Sequence, residues 1–348
     1  MEFLLGNKKE FDDFLDSIDE DDKIAILTHT DLDGIASAVF LEEIIKARGL
    51  KKASVRFLVY GNGVIENVIP GLEKEKTSKV FVSDIAADSI DHKGFEALRK
   101  KFDVLLIDHH PLNKEFEEEK GIIKTETRDC VAITIYRLGE GIIDYEKWNW
   151  LACAAVISDM SYRKKENLDF VRESYPGFEE KSVYDSELGK LEERISNALI
   201  YFKDKKDGIR KVYDAVRDGD VESLEKYSRE VKGEIDRVIG EFEDKSEHYG
   251  ERGLSFYYIK PKFRITSFVS TILSKRFPKE TLIIASDAKD SMIKISARNQ
   301  SQGEDMNVLM KRCIEGFENA VGGGHVPASA AVIMKKDLNR FKERLLRG

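Results

Sequence analysis

Two histidines follow an aspartate at Asp108-His109-His110-Pro111, and three further acidic clusters accompany them along the chain. In chain order the clusters are His29-Thr30-Asp31-Leu32-Asp33-Gly34, Ser83-Asp84, the Asp108 triplet, and Ser158-Asp159-Met160. Carboxylates and imidazoles without thiolates suit hard divalent cations, manganese or magnesium rather than a structural zinc. Two such cations side by side need a carboxylate that both can share. Asp84, alone in its cluster, is the natural bridge. A single aspartate before a glycine, such as Asp33, is most often a helix cap. Four clusters in this order, holding three of the six histidines, point instead to a two-metal centre.

Each of the first three clusters follows a short apolar run, at 23–27 (KIAIL), 79–82 (KVFV) and 104–107 (VLLI). Such runs predict buried parallel strands, and open α/β sheets hold their ligands at the carboxyl ends of those strands. Behind Asp33-Gly34, the residues Ile35, Ala38, Val39 and Ile45 keep helical spacing up to Gly49. Residues 1–20 predict a capped surface helix, and the Ala-rich run 148–157 a buried helix with Asp159 at its end. From 165 to 250 the chain is dense in Lys and Glu. It carries two helical stripes, Leu188, Leu191, Ile195, Leu199, Phe202 and Val231, Ile235, Val238, Phe242. Farther on, the pattern predicts a strand at 256–259, a helix at 265–276, strands near 281–286, 291–297 and 328–334, and a glycine-rich loop at Gly322-Gly323-Gly324-His325. The expected fold class is α/β: a parallel-sheet N-terminal domain (1–160), a helical connector or insert (161–253) and a smaller C-terminal α/β domain (254–348).

With 348 residues, 41% hydrophobic and 35% charged, the chain reads as a globular protein of two or three domains. No apolar run is long enough to span a bilayer, and the acids of the opening residues do not suit a signal peptide. A cytoplasmic protein without a membrane partner is expected. Cys130, Cys153 and Cys313 are far apart and fit neither a zinc pattern nor a disulfide framework, so buried thiols are expected. The net charge of −8 hides an uneven distribution: residues 257–300 hold nine basic side chains against three acids, which leaves −14 on the remainder. Part of that remainder is the aspartate clusters, which cations would neutralise. A phosphate-rich ligand is compatible with this balance.

The C-terminal part adds Ser296-Ala297-Arg298 and the Gly322–His325 run. Glycines let backbone N–H groups approach a phosphate, and an arginine can grip one with two hydrogen bonds. Phe256, Tyr257, Tyr258 and Phe263 interleave with basic residues in a way that would suit base stacking, but core at alternate positions is the favoured reading. Four acidic motifs in 29–159 and this terminal signature in 296–330 together resemble the DHH phosphoesterase superfamily with its DHHA1 domain, over nearly the whole chain.

The resemblance implies a DHH domain followed by a DHHA1 domain. It assigns His29 and Asp31 to one metal ion and Asp33, His109 and Asp159 to the other, with Asp84 between them. The expected catalytic group is His110, Asp84 and Asp108, with His110 facing the substrate phosphate and Asp108 orienting the histidines from behind. Arg298, Gly322, Gly323, Gly324 and His325 fall to substrate binding. His29 stands two residues before Asp31, closer to the RecJ-like branch than to the oligoribonuclease-like branch, where the histidine lies farther upstream. The implied activity is two-metal hydrolysis by an exonuclease on single-stranded DNA or RNA that releases 5′-mononucleotides, with manganese as the expected ion and magnesium as the alternative. A phosphatase or diesterase for short substrates (dinucleotides, 3′-phosphoadenosine 5′-phosphate, cyclic dinucleotides) is the competing reading within hydrolases. From another class comes a replication scaffold without catalysis. Expected partners are single-stranded nucleic acid or short oligonucleotides, a helicase or replication protein on the helical insert, and a second copy of the chain.

Overall fold

Successive residues of a strand face opposite sides of a sheet, so a run that is apolar throughout demands cover on both faces. The structure is a computed structural model and describes residues 2–347 other than Tyr60 and Glu118. It divides into two units, Met1–Ser228 and Arg229–Gly348.

The first unit begins with β1 (Phe3–Leu5), α1 (Lys8–Asp16), β2 (Ile24–His29), α2 (Leu32–Ala47), β3 (Ser54–Leu58) and α3 (Val64–Glu75). It continues through β4 (Lys79–Ser83), α4 (Ala87–Ile90), α5 (His92–Arg99), β5 (Asp103–Asp108), β6 (Ile122–Thr125), α6 (Val131–Leu138) and α7 (Tyr145–Ser158). Helices α8 (Lys165–Ser174), α9 (Glu187–Phe202) and α10 (Gly208–Arg217) follow, and α11 (Glu225–Gly240) carries the chain into the second unit. The sheet order is β1-β6-β5-β4-β2-β3, parallel except for β1 on β6. Ile26, Phe81, Leu105 and Ile123 pack on one face with α1, α2, α6 and α7, while Leu27, Val80, Val82 and Leu106 pack on the other with α3 and α5.

The three apolar runs are β2, β4 and β5, adjacent in the sheet. The chain order reverses between β2 and β4, since β3 lies on the far side of β2. The carboxyl ends of β2 and β4 therefore form a topological switch point, the usual ligand crevice of an open sheet. The segment expected as a connector is split: α9 buries Leu188, Ile195, Leu199 and Phe202 in the first unit, whereas Val231, Val238 and Phe242 fall in the second.

The second unit contains α12 (Phe242–Lys245), β7 (Glu247–Tyr249), β8 (Leu254–Ile259), α13 (Thr266–Arg276), β9 (Thr281–Asp287), β10 (Met292–Asn299), α14 (Met306–Ile314), β11 (Val321–His325), β12 (Ala328–Met334) and α15 (Leu338–Leu346). Its sheet order is β11-β12-β10-β9-β8-β7, with β8 and β9 the parallel pair. Phe256, Ile283, Ile295, Leu309 and Phe341 form the core. On the opposite face α13 meets the sheet through hydroxyls, Thr266 on Ser286 at 2.6 Å and Ser270 on Ser296 at 2.8 Å.

One expectation is corrected here. The glycine run is an edge strand and not a loop: Gly322, Gly323 and Gly324 pair with Ala331, Ala330 and Ser329 of β12. A Cβ at Gly324 would lie 2.4 Å from the Ala328 carbonyl, so this strand pairing itself needs glycine. Phe256 and Tyr257 are buried, with Tyr257 donating to the Val238 carbonyl at 3.0 Å, as the core reading expects of them. Among the described residues no helix is long and apolar enough to cross a membrane. All three cysteines are free and buried.

Candidate metal centre

His29 is the last residue of β2, and Asp31 caps α2 by accepting from Gly34 N at 3.0 Å. A Cβ at Gly34 would lie 2.5 Å from the His29 carbonyl, so only glycine lets the helix start this close to the strand end. The result sets Asp31 Oδ2 2.7 Å from His29 Nδ1. Asp33, in the first turn of α2, is fully buried, and its two oxygens accept from Val131 N and Ala132 N at 2.7 Å each. Those are orphan amides at the start of α6, and they fix the carboxylate from behind.

Asp84 directly follows β4 in the left-handed region, φ 55°, with its N–H donating to the Ile107 carbonyl at 3.1 Å. Non-glycine residues are uncommon there, and strain of this kind concentrates at functional sites. The Asp84 carboxylate lies 3.8 Å from His29 Nδ1 and 3.6 Å from His109 Nε2. Asp159 ends α7, and its Oδ2 is 3.4 Å from the same Nε2. His109 Nδ1 is 2.6 Å from the Asp129 carbonyl oxygen. A carbonyl only accepts, so Nδ1 carries the proton and Nε2 keeps its lone pair toward the carboxylates. Burial lowers the His109 pKa and favours this neutral, ligating form.

Three overlapping groups of donors result: His29 with Asp31 and Asp84, Asp84 with His109 and His110, and Asp33 with His109 and Asp159. Within each group one ligand atom per residue lies within 4.8 Å of the others. Asp84 and His109 each belong to two groups. Burial first, then the neighbouring carboxylates, pushes Asp33 and Asp84 well above the usual range and Asp159 up to about 7. Buried like charges of this kind are costly until cations offset them. Oxygen and imidazole donors without sulfur fit hard divalent ions, and the residues present therefore suit two such ions.

His110 stacks edge-on against His109 at 4.5 Å, and its Nδ1 is 2.8 Å from Asp108 Oδ1. Burial works against the imidazolium, but the Asp108 hydrogen bond and charge outweigh it and raise the His110 pKa. Asp108 was expected to orient both histidines. It holds only His110, because the Asp129 carbonyl holds His109. The Asp129 carboxylate is in turn fixed by Lys164 at 2.6 Å and Asn167 at 2.8 Å.

Sequence reasoning missed Lys124, Asp88 and Asp129. Lys124 is wholly buried between Asp108 at 2.6 Å and Asp88 at 2.8 Å, and also donates to the His110 carbonyl at 3.1 Å. The one signal was a lysine inside the apolar strand IIKT. Arg298 and the Gly322–His325 run belong to the second unit. There Arg298 of β10 and His325 of β11 both pair with Ala328 of β12, so they share one row and one face of the sheet.

The model of the DHH family, N-terminal domain, matches residues 23–174, and that of the DHHA1 domain matches 260–347. Among solved structures, exonuclease RecJ bound to manganese aligns with 98% of this chain and 94% of its own, at 14% identity and a TM-score of 0.72. CDC45 from Entamoeba histolytica aligns over 97% of both chains at 12% identity and a TM-score of 0.59. An exopolyphosphatase-related protein from Bacteroides fragilis aligns with 98% of this chain and 95% of its own, at 14% identity and a TM-score of 0.58. No curated protein matches the chain by sequence. The two domain models fall in their expected order, with every donor of the clusters inside the first, and the chain belongs to the DHH–DHHA1 superfamily with a RecJ-like fold.

Proposed function

We propose that the protein is an exonuclease on single-stranded DNA or RNA that releases 5′-mononucleotides, using two divalent cations, manganese by preference and magnesium as the substitute. The observation that carries the reading is the sharing of Asp84 and His109 between neighbouring donor groups at the switch point of the sheet. A fold that follows RecJ along nearly its whole length supports it.

In this reading His29 and Asp31 would hold one cation and Asp33, His109 and Asp159 the other, with Asp84 as the donor available to both. The cations supply Lewis acidity and an activated water at neutral pH. His110, kept protonated by Asp108, donates to a phosphoryl oxygen and stabilises the charge that develops there. The bond that breaks is phosphorus–O3′, and water supplies the new oxygen of the 5′-phosphate. No protein nucleophile is called for, and the buried cysteines take no part. Arg298 and His325 hold a substrate phosphate, and Gly322, Gly323 and Gly324 let it approach a backbone without side chains.

The test is digestion of a long single-stranded oligonucleotide, labelled separately at each end, with manganese. A ladder from one label and immediate mononucleotide from the other supports the proposal and gives the direction. An intact strand with turnover of dinucleotides or 3′-phosphoadenosine 5′-phosphate favours the short-substrate reading, to which the likeness to the exopolyphosphatase-related fold lends weight. An intact strand with no turnover of any phosphate ester, although two cations bind, favours the scaffold reading.

A further inference from the structure

Helices α9, α10 and the start of α11 carry a basic and aromatic surface that none of the steps above uses. Residues 203–211 (KDKKDGIRK), the link from α9 into α10, hold five basic side chains against two acids in a chain of net charge −8. Three rings meet beside this link: Tyr201, Phe202 and Tyr227 have centroids 4.6 to 5.0 Å apart. Lys205 Nζ lies 3.2 Å from the Tyr201 centroid, and Lys211 and Lys226 lie 5.2 and 4.7 Å from that of Tyr227. Phe202 is the buried floor, the two tyrosines are half-buried, and the three lysines are exposed.

The first unit also fixes where this surface stands. Arg210 donates to the Val55 carbonyl and lies 5.2 Å over the Phe57 ring, which pins the start of α10 to β3. Leu58, the next residue of β3, pairs with His29 of β2. At the other end of α10, Arg217 lines a cavity with Glu42, Glu43 and Lys46, from the part of α2 farthest from Asp31. Helix α10 therefore points its first turn, and the lysine-rich link before it, toward the edge of the sheet that carries the metal donors.

We infer that Tyr201, Tyr227, Lys205, Lys211 and Lys226 form a second binding site for the single strand, on nucleotides beyond those held at the metal centre. The inference rests on the proposed activity toward a phosphodiester polymer. Tyrosine faces take bases of any sequence, and ammonium groups on flexible stems move from ring to phosphate. Such a site grips a strand of several nucleotides and leaves a dinucleotide, too short to reach it, unaffected.

The test uses the full chain with Lys205→Ala, Lys211→Ala and Lys226→Ala combined. These side chains are exposed and outside the catalytic machinery. Binding of a labelled strand of about 20 nucleotides is followed by fluorescence anisotropy over a salt series, with calcium replacing manganese to prevent cleavage. Expected are about tenfold weaker binding and a log K against log salt slope shallower by about 2, as the loss of three phosphate contacts predicts. Dinucleotide turnover with manganese should be unchanged. Unaltered affinity and slope, beside a parent that binds and cleaves the strand, overturn the second site and leave the exonuclease reading intact. Equal losses on strand and dinucleotide overturn it as well, since the damage would then lie at the centre. A parent that turns over dinucleotides but binds no strand overturns both readings, and a triple variant impaired only in holding an acidic protein reassigns the surface to that partner.

Discussion

Lys124 Nζ lies 2.6 Å from Asp108 Oδ2, and neither side chain has any exposed surface. The same ammonium reaches Asp88, whose other oxygen accepts from Asn113 N at 2.9 Å. One buried cation thus steadies the strand end that presents His110 and the loop that follows it. Removing one partner of a buried ion pair leaves the other charge uncompensated, at a cost of about 3–5 kcal/mol. Lys124→Met is expected to lose about that much stability in urea unfolding, and to lower turnover more than manganese affinity, because the donors themselves stay in place. A variant as stable as its parent would show that the pair is not what holds this region.

Asp84 serves two of the three donor groups from a left-handed backbone. Asp84→Ala should bind fewer than two manganese ions per chain by calorimetric titration. Its turnover should fall further than the about 10–100-fold typical of groups lying behind metal ligands. Near-normal activity with two ions still bound refutes the bridging role.

Burial and the surrounding carboxylates push Asp159 up to about 7, whereas the same side chain in an unfolded chain titrates near 4. The native state then holds the proton more tightly than the unfolded one. The associated stability is complete below about pH 4 and is lost as pH rises through about 7. Without metal, the melting temperature of the parent should fall across that window relative to Asp159→Asn, which has no proton to lose. Manganese binds the ionised carboxylates, so its affinity should rise over the same window. Parallel melting curves for the two proteins in chelator, at every pH, would contradict this.

Arg298 and His325 stand in one row of the second unit's sheet, and the donor clusters belong to the first unit. Replacing either with alanine should raise KM about tenfold, the loss of a hydrogen bond to a charged group. The number of bound manganese ions should not change. Unchanged affinity for every phosphate ligand tried would remove both residues from substrate binding.

The glycine run and Lys124 separate what was legible in the sequence from what was not. Three acidic motifs behind apolar strand runs, a fourth at the end of an Ala-rich helix, and the glycine-rich signature are local patterns. A run of apolar residues needs two covered faces, and its polar end must then emerge at a sheet edge, so β2, β4, β5 and the residues they present could be read directly. The order of β2 and β4 about the switch point could not, because it depends on which strands pair across long stretches of chain. The same holds for the Asp129 carbonyl that sets the His109 tautomer, from 20 residues away. Lys124 stands out only once Asp88 and Asp108 close around it. Gly322 to Gly324 looked like a loop until pairing with β12 supplied the hydrogen bonds that glycine alone does not favour. The sequence by itself determined the kinds of donor and the elements that end in them. Tertiary structure alone decided which donors share a neighbour and which charges lie buried, because those depend on distances between strands and helices remote in the chain.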